Sequence, residues 1–253
     1  MSGSNLRIAT YNVHKCRGLD GRLRPDRIVR VLREMEADVI ALQEVLSVDG
    51  HKFESDQPRF LAEQLGFHWV LGENRRLNGG AYGNVVLSRF PLHQHCNYDI
   101  SVHGRESRGC LRTDVVLGDG HLLHVFNVHL GTSFVERRQQ ARKLIAGTIV
   151  LNGHKRGPRV VLGDFNEWTR GLATRMLSAE LESIDIRSHL RKARTYPGIF
   201  PFMHLDHIYH DPDLQLQKLT LHRSRTALVA SDHLPLIAEF RLSRWTGGHN
   251  GSS

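Results

Sequence analysis

Long apolar segments and paired cysteines are both absent from this chain of 253 residues. No apolar run approaches the ~18 to 20 residues that a membrane-spanning helix needs, and the opening MSGSNLRIATYN has no apolar stretch of signal-peptide length. We therefore expect no integral membrane association, no export and a cytoplasmic location. Cys16, Cys96 and Cys110 are an odd number without CxxC spacing, which argues against a disulfide framework and a thiolate zinc site.

Acidic residues are also scarce relative to basic ones. Lys and Arg number 34 against 26 Asp and Glu, which gives a formal net charge of +8 and favours polyanionic partners such as nucleic acid or anionic lipid headgroups. Hydrophobic residues make up 40% and charged residues 24%, as in a folded globular protein. We expect one monomeric domain over residues 6–245, between flexible tails at 1–5 and 246–253.

Short β-branched or apolar runs recur along the chain and predict strands, whereas amphipathic runs between them predict helices. The predicted strands are 6–13, 38–45, 84–88, 122–130, 159–166, 204–209 and 231–240. The predicted helices are 25–37, 134–151 and 169–181. This pattern favours packed sheets flanked by helices.

Nearly every predicted strand ends in a polar residue that packing alone would not select. These residues are Asn12, Glu44, Asn84, His129, Asp164 with Asn166, Asp206, and Asp232 with His233. Taken singly, each is as well explained as an ordinary strand-end or turn residue. Carboxylates and imidazoles are costly to bury unless they are paired or bind a metal, so the whole set favours one shared site.

Spacing within two runs supports this interpretation. Period-2 alternation in 159–166 places Asp164 and Asn166 on one side of the chain, and Asn127 shares a side with His129 in the run 122–130. Carboxylate and amide oxygens are the ligands that Mg²⁺, Mn²⁺ or Ca²⁺ take, and histidines beside carboxylates suit proton transfer. Together they predict metal-assisted hydrolysis of a phosphate ester.

An ordered series of motifs resembles the endonuclease/exonuclease/phosphatase superfamily, the DNase I-like fold. The motifs are TYNVH (10–14), LQEV (42–45), GNVVLSR (83–89), NVHLG (127–131), GDFN (163–166), LDHIY (205–209) and SDHLP (231–235). The resemblance implies an α/β (α+β) protein: a four-layer α/β/β/α sandwich of two packed mixed sheets with one active site at an edge. GNVVLSR, RTYP (194–197) and LDHIY are most similar to short bacterial members of unassigned substrate.

The resemblance also implies roles for individual residues. Asn12, Glu44 and Asp232 match metal ligands for Mg²⁺, with Mn²⁺ or Ca²⁺ as substitutes. The implied catalytic residues are His129, Asp164, Asp206 and His233. Among these, Asp206 is expected to orient and charge His129, and His233 to contact the phosphoryl oxygens. The expected phosphate-binding residues are Asn84, Asn127, Asn166 and Arg108.

Substrate choice stays open between several classes. DNA is the first expectation, with Arg75, Arg76, Arg105, Arg108 and Arg112 as candidate contacts. Val45 follows Glu44 where DNase I has an arginine for the minor groove, so the resemblance does not extend to efficient cutting of duplex DNA. A lipid or inositol-type phosphoesterase is the alternative, although only 200–203 (FPFM) offers a cluster of large apolar residues in a loop. A non-catalytic binding module is the third possibility.

Overall fold

The structure is a computed structural model that describes residues 5–48, 55–118, 120–146, 149–150, 157–167, 171–183 and 205–242. The RTYP motif, the apolar segment 200–203 and the predicted C-terminal tail lie outside these residues. The predicted N-terminal tail reaches one residue too far, because Asn5 pairs with Arg241 in a sheet.

Twelve strands and five α-helices make up the described part of the chain. The strands are β1 (Asn5–Asn12), β2 (Val39–Ser47), β3 (His68–Leu77), β4 (Gly80–Ser88), β5 (Leu92–Asp99), β6 (Gly109–Val116), β7 (Leu122–His129), β8 (Arg159–Asp164), β9 (Glu182–Ser183), β10 (Asp206–His210), β11 (Leu214–Leu221) and β12 (Leu236–Leu242). The helices are α1 (Pro25–Met35), α2 (Gln57–Leu65), α3 (Phe134–Ala146), α4 (Leu172–Glu180) and α5 (Ala227–Ala230). A short 3-10 turn spans His14–Cys16.

The strands form two six-stranded mixed sheets. Their orders are β11-β12-β1-β2-β4-β3 and β5-β6-β7-β8-β10-β9. Each sheet contains one parallel pair, β1 with β2 and β7 with β8, and the other neighbours are antiparallel. Helices α1 and α3 lie in the connections of the two parallel pairs, as a parallel connection requires.

The protein has four layers, and one hydrophobic cluster lies between each pair of adjacent layers. Alternate residues of the central strands point to opposite faces: Ile8 joins the cluster between the sheets, and Tyr11 joins the cluster under α1, α2 and α5. A third cluster packs α3 and α4 on the outer face of the second sheet and includes Phe165 and Tyr209, whose ring centroids lie 5.4 Å apart. The predicted four-layer α/β/β/α sandwich is confirmed.

The predicted helices and strands lie at the observed positions along the chain, but several of them differ from the observed elements in length. Helix α1 starts at Pro25, where the missing N–H of proline is harmless, and buries Ile28, Leu32 and Met35 on one face. The predicted helix 134–151 ends at Ala146, and the one predicted over 169–181 spans Leu172–Glu180. Strands β3, β5, β6, β9 and β11 were not predicted. Within the described ranges, no helix is long and apolar enough to cross a bilayer.

Candidate active site

The parallel pairs determine where polar side chains meet. Strands β1, β2, β7 and β8 end at one edge of the two sheets, which we call the site edge, and they bring Asn12, His129 and Asp164 there. Antiparallel partners begin at the same edge, so Asp206, the first residue of β10, lies opposite Asp164. His233 comes just before β12. The site edge therefore collects residues from both sheets.

A β-bulge places Glu44 at the site edge. In the pairing of β2 with β4, Leu42 lies opposite Val85 and Val45 opposite Gly83, so both Gln43 and Glu44 face a single position. Glu44 adopts a left-handed conformation with φ of 59°. Regular alternation would turn Glu44 to the same face as Leu42, toward the helices. The bulge keeps Leu42 and Val45 in the outer cluster and releases Glu44 to the site.

Asp164 is the centre of the site. Its Oδ2 accepts a hydrogen bond from Asn12 Nδ2 at 3.0 Å and lies 3.6 Å from both His129 Nε2 and His233 Nε2. Its Oδ1 accepts the backbone N–H of Asn166 at 2.9 Å. Asp164, His129 and His233 are buried. Three nitrogen-bearing side chains from different strands and loops thus converge on one carboxylate.

The turn after β8 is shaped by two residues with positive φ. Gly163 has φ of 144°, and a side chain there would collide with the carbonyl oxygen of Val128 on β7. Asn166 has φ of 49°, and its Nδ2 donates to the carbonyl of Leu130 at 2.9 Å. The sequence motif GDFN therefore supplies a close strand approach at its glycine and a fixed turn at its asparagine.

Asp206 pairs with His233, which corrects the expected pairing with His129. His233 Nδ1 lies 3.0 Å from Asp206 Oδ2, and both residues are buried. Burial alone would lower the pKa of His233, but the carboxylates of Asp206 and Asp164 outweigh it and raise the pKa to about 10. His233 is therefore an imidazolium at neutral pH.

The pKa of His129 is lowered, whereas the expected pairing with the Asp206 carboxylate would have raised it. Burial, followed by the nearby charge of Arg108, lowers the pKa of His129 to about 4, although Asp164 and Glu44 act against this. His129 is neutral at pH 7, whereas His233 is charged. Two histidines that contact one carboxylate are thus held in different protonation states, as acid and base partners often are.

Lys15 is a site residue that the sequence did not identify. Its Nζ donates to Glu44 Oε2 at 2.6 Å. Burial opposes ionisation of Glu44, but His129, which is charged in the acid range where this carboxyl titrates, and Lys15 outweigh burial and hold the pKa of Glu44 well below its usual range. His14, Lys15 and Cys16 all have positive φ, a rare conformation for residues other than glycine. Buried Gln57 holds this turn by donating to the Lys15 carbonyl at 2.8 Å. Such strain often marks functional sites.

Arg108 lies in a network of charged and aromatic groups beside Glu44. Its Nη2 lies 3.1 Å from Glu106 Oε2, while Arg75 Nη2 lies 2.7 Å from Glu106 Oε1. Arg75 also stacks on the ring of Tyr82 at 4.9 Å. Burial, and next the Glu44 carboxylate, raise the pKa of Tyr82, which stays protonated. Arg108 is buried, so its positive charge acts on the site, and on His129 in particular, from inside the protein.

Asn84 and Asn127, which we expected on the substrate phosphate, lie between the two sheets instead. Both are fully buried. Asn127 Nδ2 donates to the carbonyls of Leu42 and Val85 at 2.8 and 2.9 Å, and Asn127 Oδ1 accepts from Gln43 Nε2 at 2.8 Å. Asn84 Nδ2 donates across the interface in the other direction, to backbone carbonyls of the second sheet. These amides hold the two halves of the site together.

The remaining candidate arginines divide by exposure. Arg112 is buried and makes a bidentate pair with Asp114, with its Nε and Nη2 at 2.9 and 2.8 Å from the carboxylate oxygens. It cannot reach a nucleic-acid backbone from this position. Arg76 and Arg105 are exposed at the surface.

The oxygen donors at the site edge fit a magnesium ion. Glu44 and Asp164 both lie within 3.3 Å of Asn12 Nδ2, and the half-buried Asp232, next to His233 in the chain, lies 3.8 Å from His14 Nδ1. Mg²⁺ typically takes one or two carboxylates and keeps several waters, so this sparse set suits it. In the described residues, no group of three His, Cys, Asp or Glu side chains forms a ready-made metal cage. Asn12 presents its amide nitrogen to Glu44, and ligation through oxygen requires a turn of that amide.

Two packed sheets whose catalytic-type residues meet at one edge define a DNase I-like hydrolase of phosphate esters. The family model described as "Endonuclease/Exonuclease/phosphatase family" matches residues 9–233, and the chain belongs to this family. The uncharacterized protein YbhP of Escherichia coli strain K12 is 33% identical over 249 residues, which cover 94% of this chain and 97% of YbhP.

Solved structures show the same fold. A family member from Bacteroides thetaiotaomicron superposes with a TM-score of 0.79 at 17% identity, over 99% of each chain. The mannosyl-6-phosphatase Bt3783 of Bacteroides thetaiotaomicron VPI-5482 superposes with a TM-score of 0.74 at 18% identity, over 93% of this chain and 99% of that one. At these identities the matches establish the architecture.

Proposed function

We propose that this protein is a magnesium-dependent phosphodiesterase. The observation that carries the proposal is the convergence of Asn12, His129 and His233 on Asp164, with Glu44 and its cation Lys15 alongside. Structural packing does not need two buried histidines in different protonation states against one carboxylate. Phosphoester hydrolysis uses such groups, because charge develops on the phosphoryl oxygens while a proton leaves the attacking water.

Each residue then has a distinct task. Asp164 orients the attacking water through its Oδ2, and the neutral His129 accepts a proton at Nε2 as the water oxygen bonds to phosphorus. The ester P–O bond breaks in the same displacement, and the leaving oxygen takes a proton from solvent. The Asp206–His233 pair presents an N–H to a phosphoryl oxygen, with Asp206 fixing the ring orientation. Glu44, with Asp232 and Asn12, would hold a magnesium ion, and that ion would supply positive charge to the phosphate and lower the pKa of a water bound to it.

Two substrate classes agree with the site. DNA remains the first candidate because of the +8 net charge, with exposed Arg76 and Arg105 as contacts. A lipid phosphodiester is the second candidate, favoured by exposed apolar side chains on segments next to the site, such as Leu19 and Phe134. The mannosyl-6-phosphatase among the structural neighbours makes phosphomonoesters a necessary comparison.

The test is a substrate panel with matched variants. Bis-p-nitrophenyl phosphate should be hydrolysed faster than p-nitrophenyl phosphate, activity should vanish in EDTA, and Mg²⁺ or Mn²⁺ should restore it. Asp164→Asn should lose at least ~10²-fold in kcat, the usual size of a general acid–base contribution. Asp213→Asn removes an exposed carboxylate in the turn between β10 and β11 and should leave kcat unchanged. Full activity of Asp164→Asn, or of the wild type in EDTA, refutes the proposal.

Plasmid DNA, RNA and phospholipid vesicles complete the panel. Nicking of plasmid DNA by the wild type and not by Asp164→Asn supports the DNA assignment. Release of a phosphorylated headgroup from vesicles, without cleavage of DNA or RNA, replaces it with the lipid assignment.

A further inference from the structure

Large hydrophobic side chains on the described surface concentrate around the site edge. Six are substantially exposed: Leu19 (40%), Leu23 (51%), Trp69 (39%), Phe134 (58%), Val135 (60%) and Val229 (40%). All except Trp69 lie within eight residues along the chain of a residue at the site: Lys15, His129 or Asp232. We call these five residues the apolar rim. Trp69 lies opposite Leu87 near the end of β4, at the far edge of the sheets.

One part of the apolar rim is built from a turn and a short helix. Leu19 comes four residues after Lys15, and Val229 three residues before Asp232, so each lies within about 14 Å of a site residue along an extended chain. The Leu19 N–H donates to the Val229 carbonyl at 3.1 Å, and Arg27 donates to the same carbonyl at 3.0 Å. The backbone of this part is therefore held in place, while the side chains of Leu19, Leu23 and Val229 are exposed.

The other part begins helix α3 on the second sheet. Phe134 and Val135 follow His129 by five and six residues. Strand β1 packs over β8, so this part lies across the site from the first one. Arg138 and Arg142 are exposed at helical spacing from Phe134, behind the apolar tip. The apolar rim thus flanks the site on two sides.

Positive charge accompanies both parts. Residues 17–24 contain the exposed Arg17 and Arg22, and an exposed Arg24 that pairs with Asp26 at 3.1 Å; the single acidic residue of this stretch, Asp20, is bound to Arg27 at 2.7 Å. Residues 223–230 contain two arginines and no acidic residue. Arginines next to the exposed apolar side chains of the apolar rim are complementary to a surface that carries negative charge on the outside and is apolar beneath.

We propose that the apolar rim and its arginines dock on the surface of an anionic phospholipid bilayer, with the active site facing the headgroups. Four of the five rim side chains are aliphatic, which suits insertion at the acyl boundary, whereas nucleic-acid platforms stack bases on aromatic rings. A second copy of this chain fits less well, because an isologous contact would oppose the arginines of both copies. Docking goes beyond the proposed function, because lipid binding is measured without turnover.

The experiment compares vesicle sedimentation across matched variants. Wild-type protein should sediment with phosphatidylcholine vesicles that contain phosphatidylglycerol and much less with phosphatidylcholine alone. Leu19→Gln/Leu23→Gln and Phe134→Gln/Val135→Gln should each weaken binding at least about tenfold, because two apolar side chains no longer leave water. Trp69→Gln removes an equally exposed hydrophobic residue from the far edge and should bind as the wild type does. Unchanged melting temperatures establish that the variants are folded.

Hydrolysis of bis-p-nitrophenyl phosphate is measured in parallel and should be equal in wild type and rim variants, so loss of docking is distinguished from loss of catalysis. The proposal is overturned if the wild type does not bind the anionic vesicles, or if Trp69→Gln weakens binding as much as the rim variants. It is also overturned if the rim variants lose binding to a single-stranded oligonucleotide, or lose a dimer in sedimentation velocity, while vesicle binding is unchanged.

Discussion

Asp206 and His233 form a buried pair that joins the two sheets at the site edge, with 3.0 Å between Asp206 Oδ2 and His233 Nδ1. Asp206 begins β10 of the second sheet, whereas His233 precedes β12 of the first. Their contact therefore depends on correct packing of both sheets and aligns the imidazole that faces Asp164.

A pair that acts as one unit should show non-additive losses. We expect Asp206→Asn and His233→Ala each to lower kcat for bis-p-nitrophenyl phosphate by at least ~10²-fold, and the double variant to be little worse than His233→Ala. The measurement is a double-mutant cycle in kcat at saturating substrate. Losses that multiply would mean that Asp206 acts independently of His233.

Lys15 and a bound metal should compete for Glu44. Lys15→Met leaves the partly buried carboxylate of Glu44 without its cation, so we expect the metal-free variant to be less stable than the wild type by about 1 kcal/mol. Added Mg²⁺ should stabilise Lys15→Met more than the wild type, with half of the effect at a lower concentration, because the ion replaces the missing charge. Melting temperature against Mg²⁺ concentration measures this. Lys218→Met, at an exposed position, is the control.

Asn127 should matter for stability more than its distance from the substrate suggests. Asn127→Ala removes the buried hydrogen bonds to the carbonyls of Leu42 and Val85 and the one from the amide of Gln43, which predicts a loss of about 2 to 4 kcal/mol in unfolding free energy. Urea unfolding, with Gln217→Ala as an exposed control, measures the loss. A midpoint equal to that of the wild type would show that the inter-sheet amides contribute nothing.

Because folding lowers the pKa of Asp114, the free energy of unfolding should decrease at acid pH. Burial opposes its ionisation, but His124 and Arg112 outweigh burial and lower the pKa of Asp114 below its ordinary value. A group whose pKa is lowered by folding stabilises the native state above the unfolded pKa of about 3.9, and this contribution is lost as the pH falls through the folded pKa. Asp114→Asn should therefore be less stable than the wild type at pH 7, by about 3 kcal/mol, because Arg112 stays buried without its partner. The difference should shrink below pH ~4, as unfolding curves across pH will measure.

The sequence predicted the central strands and left out the peripheral ones, for a physical reason. Strands β1 and β8 are buried on both faces and are therefore rich in apolar residues, which period and composition detect. Strand β5 is exposed along most of its length and reads LHQHCNYD, so its pairing with β6 leaves little trace in hydropathy. Such strands are defined by their neighbours more than by their own composition.

Convergence at the site edge was also predictable, but the contacts within it were not. Alternation indicates which face a side chain occupies and is silent about which neighbour it meets, so Asp206 was expected on His129 and not on His233. The left-handed turn at Lys15 and the bulge at Glu44 depend on tertiary support, which no local propensity encodes. Asn127 was wrongly expected to contact substrate. In the sequence, a polar strand residue that forms hydrogen bonds between two sheets looks the same as one that faces a substrate.

The strand order of the first sheet bears on how this chain leaves the ribosome. Of the described strands, β1 is made first, yet one of its two neighbours, β12, is made last, after the described strands of the second sheet. Until residues 236–242 emerge, β1 is an open edge whose N–H and C=O groups are available to foreign strands. His233 emerges just before this closing strand, so the candidate site of the nascent chain is incomplete until the edge of β1 is about to be covered.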